Sequence, residues 1–185
     1  MSVLSGPALV VMTLLILAGI YKLVDPAPTS GALRLSGLPS ARPMVRALGA
    51  SEIVAAGAWL AFGGGLTAAV GAAFYGGFAI FVMNALARRL PISSCGCFGS
   101  VDTPPSKSHI VVNLLSAGVL VAVSIVPLGP LAGLTSEPLG EVIPLLAFAG
   151  AGVYLLYGVV AVLPLKVAAQ RSTAIALTAS PGSPR

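Results

Sequence analysis

The chain has 185 residues, of which 57% are apolar and only 8% are charged, with a net charge of +5. A water-soluble domain normally carries about a quarter charged residues, so this composition argues against one and makes the bilayer part of the solvent. The positive charges lie between apolar runs and form no basic stripe with interleaved aromatic residues. We therefore expect membrane lipids around the protein and no nucleic acid among its partners.

The first apolar run extends from Pro7 to Val24 and is interrupted only by Lys22. Its length suits a membrane-spanning helix, and Asp25-Pro26-Ala27-Pro28 ends it. No Lys or Arg precedes the run, and no clear small-x-small cleavage site precedes Lys22. These features predict a retained span rather than a cleaved signal peptide.

Residues 25–39 are rich in Pro, Gly, Ser and Thr and are predicted to be a connection, after which Ser40 and Pro43 predict the N-cap and first turn of a second helix. The apolar stretch that follows is too long for one span. Gly63-Gly64-Gly65 is predicted to be a tight hairpin that divides it into helices near 41–62 and 66–88.

Arg88, Arg89 and Pro91 end the third helix, and further spans are predicted near 108–126 and 141–163. The predicted fold class is therefore all-α, a polytopic transmembrane helical bundle of about five spans. It forms one transmembrane domain over residues 1–165, followed by a disordered tail over residues 166–185.

With five spans the connections alternate between the two sides of the membrane, and all ten Lys and Arg residues then fall on one side. The positive-inside rule predicts that this side is cytoplasmic. The N-terminus is accordingly expected outside the cell, and the loop over residues 92–107 and the C-terminal tail in the cytoplasm.

That loop contains Cys95-Gly96-Cys97-Phe98-Gly99, with the only two cysteines of the chain. Glycine relieves the backbone restriction, so Cys95 and Cys97 can close a small, strained and easily reduced disulfide ring. Strained disulfides tend to be catalytic or regulatory, and the nearby Arg88, Arg89 and Lys107 would favour the reactive thiolate. The pattern favours thiol-disulfide chemistry, which requires no cofactor.

Two alternatives remain open for this loop. Cys95, Cys97, Asp102 and His109 could together hold zinc, although structural zinc sites more often space their cysteines two to four residues apart. The loop could instead be structural, with Gly96 and Gly99 allowing tight packing under the membrane surface and no redox role.

Polar residues within the spans form a second set of candidates, because polar groups are costly in hydrocarbon and often functional. They are expected to converge beneath the cysteine loop, since each lies near the same end of its helix. The alternative is that Glu52 only pairs with Arg46 or Arg88 at the interface. The predicted supporting residues are Glu52, Asn84, Arg88, His109 and Asn113.

The order of these motifs resembles MauE, a family of methylamine utilisation membrane proteins related to the DoxX group. The similarity covers roughly residues 7–126 and implies a four-helix core plus one additional C-terminal helix. The residues that carry it are Tyr21-Lys22-Leu23-Val24-Asp25-Pro26, Gly37-Leu38-Pro39, Glu52, Cys95-Gly96-Cys97-Phe98-Gly99 and Asn113.

The resemblance implies a protein of the bacterial inner (plasma) membrane that assists maturation of an envelope or exported protein, together with a thioredoxin-like protein. Cys95 and Cys97 would be the redox pair, supported by Glu52, His109 and Asn113. If the chain has enzymatic character, it is expected to be at most a thiol-disulfide redox component. The alternative is a non-catalytic accessory subunit of a larger membrane complex, such as an envelope lipid or solute transport machine.

Overall fold

The computed structural model describes residues 3–92, 104–129 and 137–159, and its secondary structure over these ranges is helical. Five of its six helices are long and apolar enough to cross a membrane, and α2 is the short one. The prediction of an all-α bundle of about five spans is confirmed, and the protein is a multi-pass membrane protein. The helices are α1 Ser5–Val24, α2 Ala27–Leu35, α3 Arg42–Phe62, α4 Gly65–Ala87, α5 Lys107–Ile125 and α6 Leu139–Tyr157.

The segment over residues 25–39 connects the first two spans, as predicted, but it contains the short helix α2, which its composition does not predict. Proline is tolerated in a first helical turn, and the Asp25 carboxylate accepts a hydrogen bond from the Ala27 N–H at 3.2 Å. Gly37, with a φ of 76°, ends the helix, and the Leu38 N–H donates to the Leu33 carbonyl at 2.9 Å. The segment is therefore a capped helix of nine residues.

The start of α3 also differs from the prediction. Its N-cap is Ala41 rather than Ser40, and no side chain caps the helix. The Ser40 carbonyl instead accepts a hydrogen bond from the Ser30 hydroxyl, which ties the start of α3 to α2. Pro43 lies in the first turn, where its missing N–H costs nothing.

The hairpin between α3 and α4 depends on glycine. Gly63 and Gly64 have φ values of 66° and 90°, which side chains disfavour. A Cβ added at Gly65 would lie 2.5 Å from the Ser124 carbonyl oxygen, so the start of α4 packs directly against the end of α5. The two helices therefore run antiparallel in close contact.

Helix α1 is the central helix, because eleven of its 20 residues are buried, whereas none of the residues of α6 is buried. Helix α6 packs along one side of α1 in the same direction. A Cβ at Gly6 would lie 2.7 Å from the Phe148 ring, and one at Gly152 would lie 2.6 Å from a Val10 methyl group. The described part of α6 ends at Tyr157, and the predicted continuation to 163 and the tail lie outside the described residues.

Several helix termini lie together at one end of the bundle. It contains the end of α1, all of α2, the start of α3, the end of α4 and the start of α5. The Arg88 guanidinium donates to the Ser36 carbonyl at 3.4 Å, which joins the end of α4 to the end of α2. We call this the loop end, defined by Val24, Arg42, Ala87 and Lys107.

Candidate functional site

Helices α1 and α3 approach each other through a pair of glycines. A Cβ at Gly19 would lie 2.5 Å from the Gly49 carbonyl oxygen, and one at Gly49 would lie 2.6 Å from the Gly19 carbonyl oxygen. Lys22 and Glu52 each lie three residues after one of these glycines, hence on the same helical face. The glycine contact therefore brings the two charged side chains together between the helices.

Lys22 and Glu52 form a buried ion pair. Lys22 Nζ lies 2.9 Å from Glu52 Oε2, and the side chains are 3% and 0% exposed. The ammonium also donates to the Ala18 carbonyl at 3.4 Å and lies 5.0 Å from the centre of the Phe78 ring. Glu52 and Ala18 thus accept two of the three ammonium N–H donors, and the Phe78 ring face adds an electrostatic contact; together they compensate part of the cost of burying the charge.

The Glu52 carboxylate is less completely satisfied than Lys22. Its Oε2 accepts from Lys22, whereas Oε1 is buried and has no hydrogen-bond partner among the described residues. A buried unpaired carboxylate oxygen is unfavourable for stability. A contribution to folding stability therefore does not explain why this ion pair is present. Ionisable groups inside a membrane span are by default candidates for function.

The expected interfacial partners of Glu52 are not the ones observed. Arg46 and Arg88 are both exposed, and the Arg88 guanidinium instead contacts the Ser36 carbonyl. Glu52 pairs with Lys22 in the interior. Lys22 is the functional candidate that the sequence reasoning missed, and its signal was a charge within an otherwise apolar run at the same spacing from Gly19 as Glu52 has from Gly49.

His109 and Asn113 lie one turn apart on α5 and are 2% and 8% exposed. His109 Nδ1 is 2.7 Å from the Ser106 hydroxyl oxygen, and the Asn113 side-chain amide donates to the His109 carbonyl at 2.7 Å. Ser106 is the N-cap residue of α5, so its hydroxyl fixes the imidazole at the start of the helix. Both polar side chains are thereby held toward the bundle interior.

A small cavity connects these α5 residues with the ion pair. Its volume of about 30 Å³ is large enough for one or two water molecules. Phe78, whose ring face lies against the Lys22 ammonium, also lines this cavity. The structure thus brings Lys22, His109 and Asn113 to one cavity, with Glu52 held behind Lys22 by the ion pair.

Two of the predicted supporting residues lie apart from this cluster. Asn84 and Arg88 are exposed near the end of α4, and neither lines the small cavity. The structure therefore groups Glu52, His109 and Asn113 of the predicted set, adds Lys22, and leaves Asn84 and Arg88 at the surface of the bundle.

Cys95, Cys97 and Asp102 lie outside the described residues, and the disulfide and zinc interpretations of the loop remain predictions. Within the described ranges, no group of three or more His, Cys, Asp or Glu side chains could hold a metal ion. The described chain on either side of the cysteines contacts the bundle. Ile92 is 5% exposed and packs with Ala32 and Ala85, and Ser106 contacts His109 at the return.

Comparison with known proteins identifies one family. The family model described as methylamine utilisation protein MauE matches residues 2–129, which is well over half of the chain and includes helices α1 to α5. Helix α6 lies beyond the matched range. No curated protein and no solved structure matches the chain.

Proposed function

The chain belongs to the MauE family, as its motifs predict, and on that premise we propose that it is a membrane accessory protein in which Cys95 and Cys97 support thiol-disulfide exchange. The exchange would serve the maturation of envelope or exported proteins. The family description names methylamine utilisation, so the client is first to be sought among proteins of that process.

The observation that carries the proposal is where the described chain stops before the cysteines and resumes after them, relative to the buried polar cluster. The connection leaves the bundle after Ile92, which is buried against α2 and α4. It returns at Ser106, whose hydroxyl contacts His109 beside the small cavity. A dithiol attached at two fixed points beside buried polar groups is suited to meet a partner in a defined orientation.

The proposed exchange conserves atoms and electrons. One cysteine thiolate attacks a disulfide of a thioredoxin-like partner, which forms a mixed disulfide and releases one partner thiolate. The second cysteine then attacks the mixed disulfide, which closes the Cys95–Cys97 disulfide and releases the second partner thiolate. Two electrons and two protons thus pass from the cysteine pair to the partner, and the reverse sequence oxidises a partner dithiol.

The distribution of positive charge supports a specific orientation in a bacterial inner membrane. The Lys and Arg residues of the described ranges lie at the loop end, and the opposite α3–α4 hairpin contains none. By the positive-inside rule, the cysteine-bearing connection and the C-terminus would lie in the cytoplasm and the N-terminus outside. The residues concerned are Lys22, Arg34, Arg42, Arg46, Arg88, Arg89 and Lys107.

The second candidate function is that of a non-catalytic accessory subunit of a larger membrane complex, such as an envelope lipid or solute transport machine. Helix α6 favours it, because this helix lies outside the family match and none of its residues is fully buried. Exposed Ile143, Phe148 and Leu155 would suit contact with a neighbouring protein as well as with lipid.

One experiment separates the two functions. Cells carrying the double variant Cys95→Ser and Cys97→Ser are compared with cells carrying the loop control Ser94→Ala, and differential alkylation measures free thiols in exported proteins. Loss of normal thiol oxidation states in the double variant alone would support exchange. Normal oxidation states in the double variant, together with its recovery in a large assembly, would favour the subunit function and contradict exchange.

A further inference from the structure

An apolar cleft of about 460 Å³ lies beside the ion pair, between the end of α1 and helices α2, α3 and α4. Its walls are almost entirely hydrocarbon, and Lys22 is the only charged side chain among the described residues that line it. Leu33 and Leu38 approach it from α2 and the turn that follows. The volume lies in the range of sites for small molecules.

One wall of the cleft is a strip of aromatic side chains on α4. Phe74, Phe78 and Phe81 follow the spacing of one helical face, and the Phe74 and Phe78 ring centres are 6.3 Å apart. Gly77 lies among them, and a Cβ built there would meet no atom within 4 Å. The strip therefore offers a surface on which a flat ring can stack, with open space at Gly77.

The charge state of the cleft discriminates between possible ligands. Lys22 contributes to the wall, whereas Glu52, which does not line the cleft, neutralises its charge from behind at 2.9 Å. An ammonium has three N–H donors, and Glu52 and Ala18 accept two of them. A neutral acceptor such as a carbonyl can take the remaining donor, whereas an anionic headgroup would meet a pair with no net charge.

We propose that this cleft binds a quinone, a neutral flat ring with carbonyl oxygens and an apolar tail that dissolves in the bilayer. A quinone carbonyl accepts a hydrogen bond from Lys22, and the ring lies against the phenylalanine strip. An acyl chain would also fit the hydrocarbon wall, and its ester carbonyl is an acceptor, but it has no flat ring to stack against the phenylalanine strip. The binding site goes beyond the thiol role and does not depend on it.

The test uses the purified full chain in detergent micelles, with decylubiquinone as the probe and titration calorimetry as the readout. Gly77→Leu places a side chain into the cleft and is expected to weaken binding by about tenfold or more. Gly76→Leu is the matched control, because Gly76 is also free of neighbours within 4 Å and does not line the cleft. The control is expected to bind as the parent does. Equal affinity of Gly77→Leu and the parent would overturn the proposal.

A second measurement tests the hydrogen bond to Lys22. The double variant Lys22→Met and Glu52→Leu removes both charges and keeps apolar volume, and it is expected to bind decylubiquinone about tenfold more weakly. Dodecane, which has no carbonyl, should bind the variant and the parent alike. If dodecane or an anionic phospholipid displaces decylubiquinone at equal concentration, the cleft is an acyl-chain site and the proposal fails. Should the double variant not fold, the Gly77 and Gly76 pair decides.

The cysteine variants keep this proposal separate from the proposed function. The double variant Cys95→Ser and Cys97→Ser is expected to bind decylubiquinone with the affinity of the parent, since the described walls of the cleft include neither cysteine. If this variant lacks thiol exchange but binds decylubiquinone as tightly as the parent, the result supports the binding site independently of the thiol function. A loss of binding in that variant would show that the site depends on the loop and would contradict it as stated.

Discussion

Lys22 Nζ lies 2.9 Å from Glu52 Oε2, and this ion pair joins α1 to α3 with both side chains shielded from solvent. Gly19 and Gly49 make the approach possible, because their backbones touch three residues before each charged residue. The same lysine borders the small cavity beside His109 and the larger apolar cleft. Lys22 is therefore common to the ion pair, the small cavity and the apolar cleft.

The first prediction concerns the stability of this pair. Lys22→Met or Glu52→Gln alone leaves one partner buried without its counterpart, and each should lower the free energy of unfolding by about 3–5 kcal/mol. Unfolding in mixed micelles can be followed through the emission of Trp59, the only tryptophan of the chain. The double variant Lys22→Met and Glu52→Leu should recover most of the loss, because no charge remains buried. Losses below about 0.5 kcal/mol in both single variants would mean that the pair is not formed inside the membrane.

The second prediction concerns the glycine contact. Gly19→Ala and Gly49→Ala each place a Cβ within 2.6 Å of a carbonyl oxygen of the facing helix, so the helices must separate. We expect each change to cost about 1–3 kcal/mol of unfolding free energy. Gly57→Ala is the control on α3, because a Cβ there meets nothing within 4 Å. It should be neutral or slightly stabilising, and equal effects at Gly49 and Gly57 would rule out the close approach.

The third prediction separates the buried from the exposed polar candidates. His109→Ala removes a side chain that is 2% exposed and should cost about 2–4 kcal/mol through the cavity that it leaves. Asn84→Ala changes an exposed side chain on α4 and should leave thermal unfolding unaltered. A larger loss at Asn84 than at His109 would place Asn84, and not His109, in the polar cluster.

The five spans could be predicted because their signals are local. Long apolar runs, Arg88 and Arg89 after the third helix, and the glycines at 63–65 define them without knowledge of packing. Helix α2 could not be predicted in the same way, because Pro26, Pro28 and Gly31 are typical of a connection. Its stability comes from a cap at Asp25 and from burial of Ala32 against residues distant in sequence.

The candidate site could be predicted only in part. Glu52, His109 and Asn113 were identifiable as polar groups within spans, but the partner of Glu52 depends on the packing of α1 against α3. Lys22 near the end of an apolar run is equally typical of a charge that sets topology, and only the contact of Gly19 with Gly49 shows that it points inward. The cleft is formed by four separate segments and has no contiguous sequence signal.

The fourth prediction concerns the orientation in the membrane. In the parent chain, an impermeant maleimide should label Cys95 and Cys97 only after the membrane is opened, because the positive-inside rule predicts that this loop is cytoplasmic. Phe62, which is 78% exposed at the opposite end, supplies the reciprocal variant. With both native cysteines changed to serine, Phe62→Cys should be labelled from outside intact cells. Labelling of the native cysteines from outside would reverse the topology.

The most direct test of the proposed thiol exchange is to trap its mixed disulfide. Cys97→Ser and Cys95→Ser each leave a single thiol, which cannot complete the exchange and should hold the partner covalently. We predict a dithiothreitol-sensitive adduct with a thioredoxin-like protein on non-reducing gels for one or both single variants, and none for the double variant. If neither single variant forms a reducible adduct and the parent pair stays fully reduced in cells, the thiol-disulfide function is contradicted.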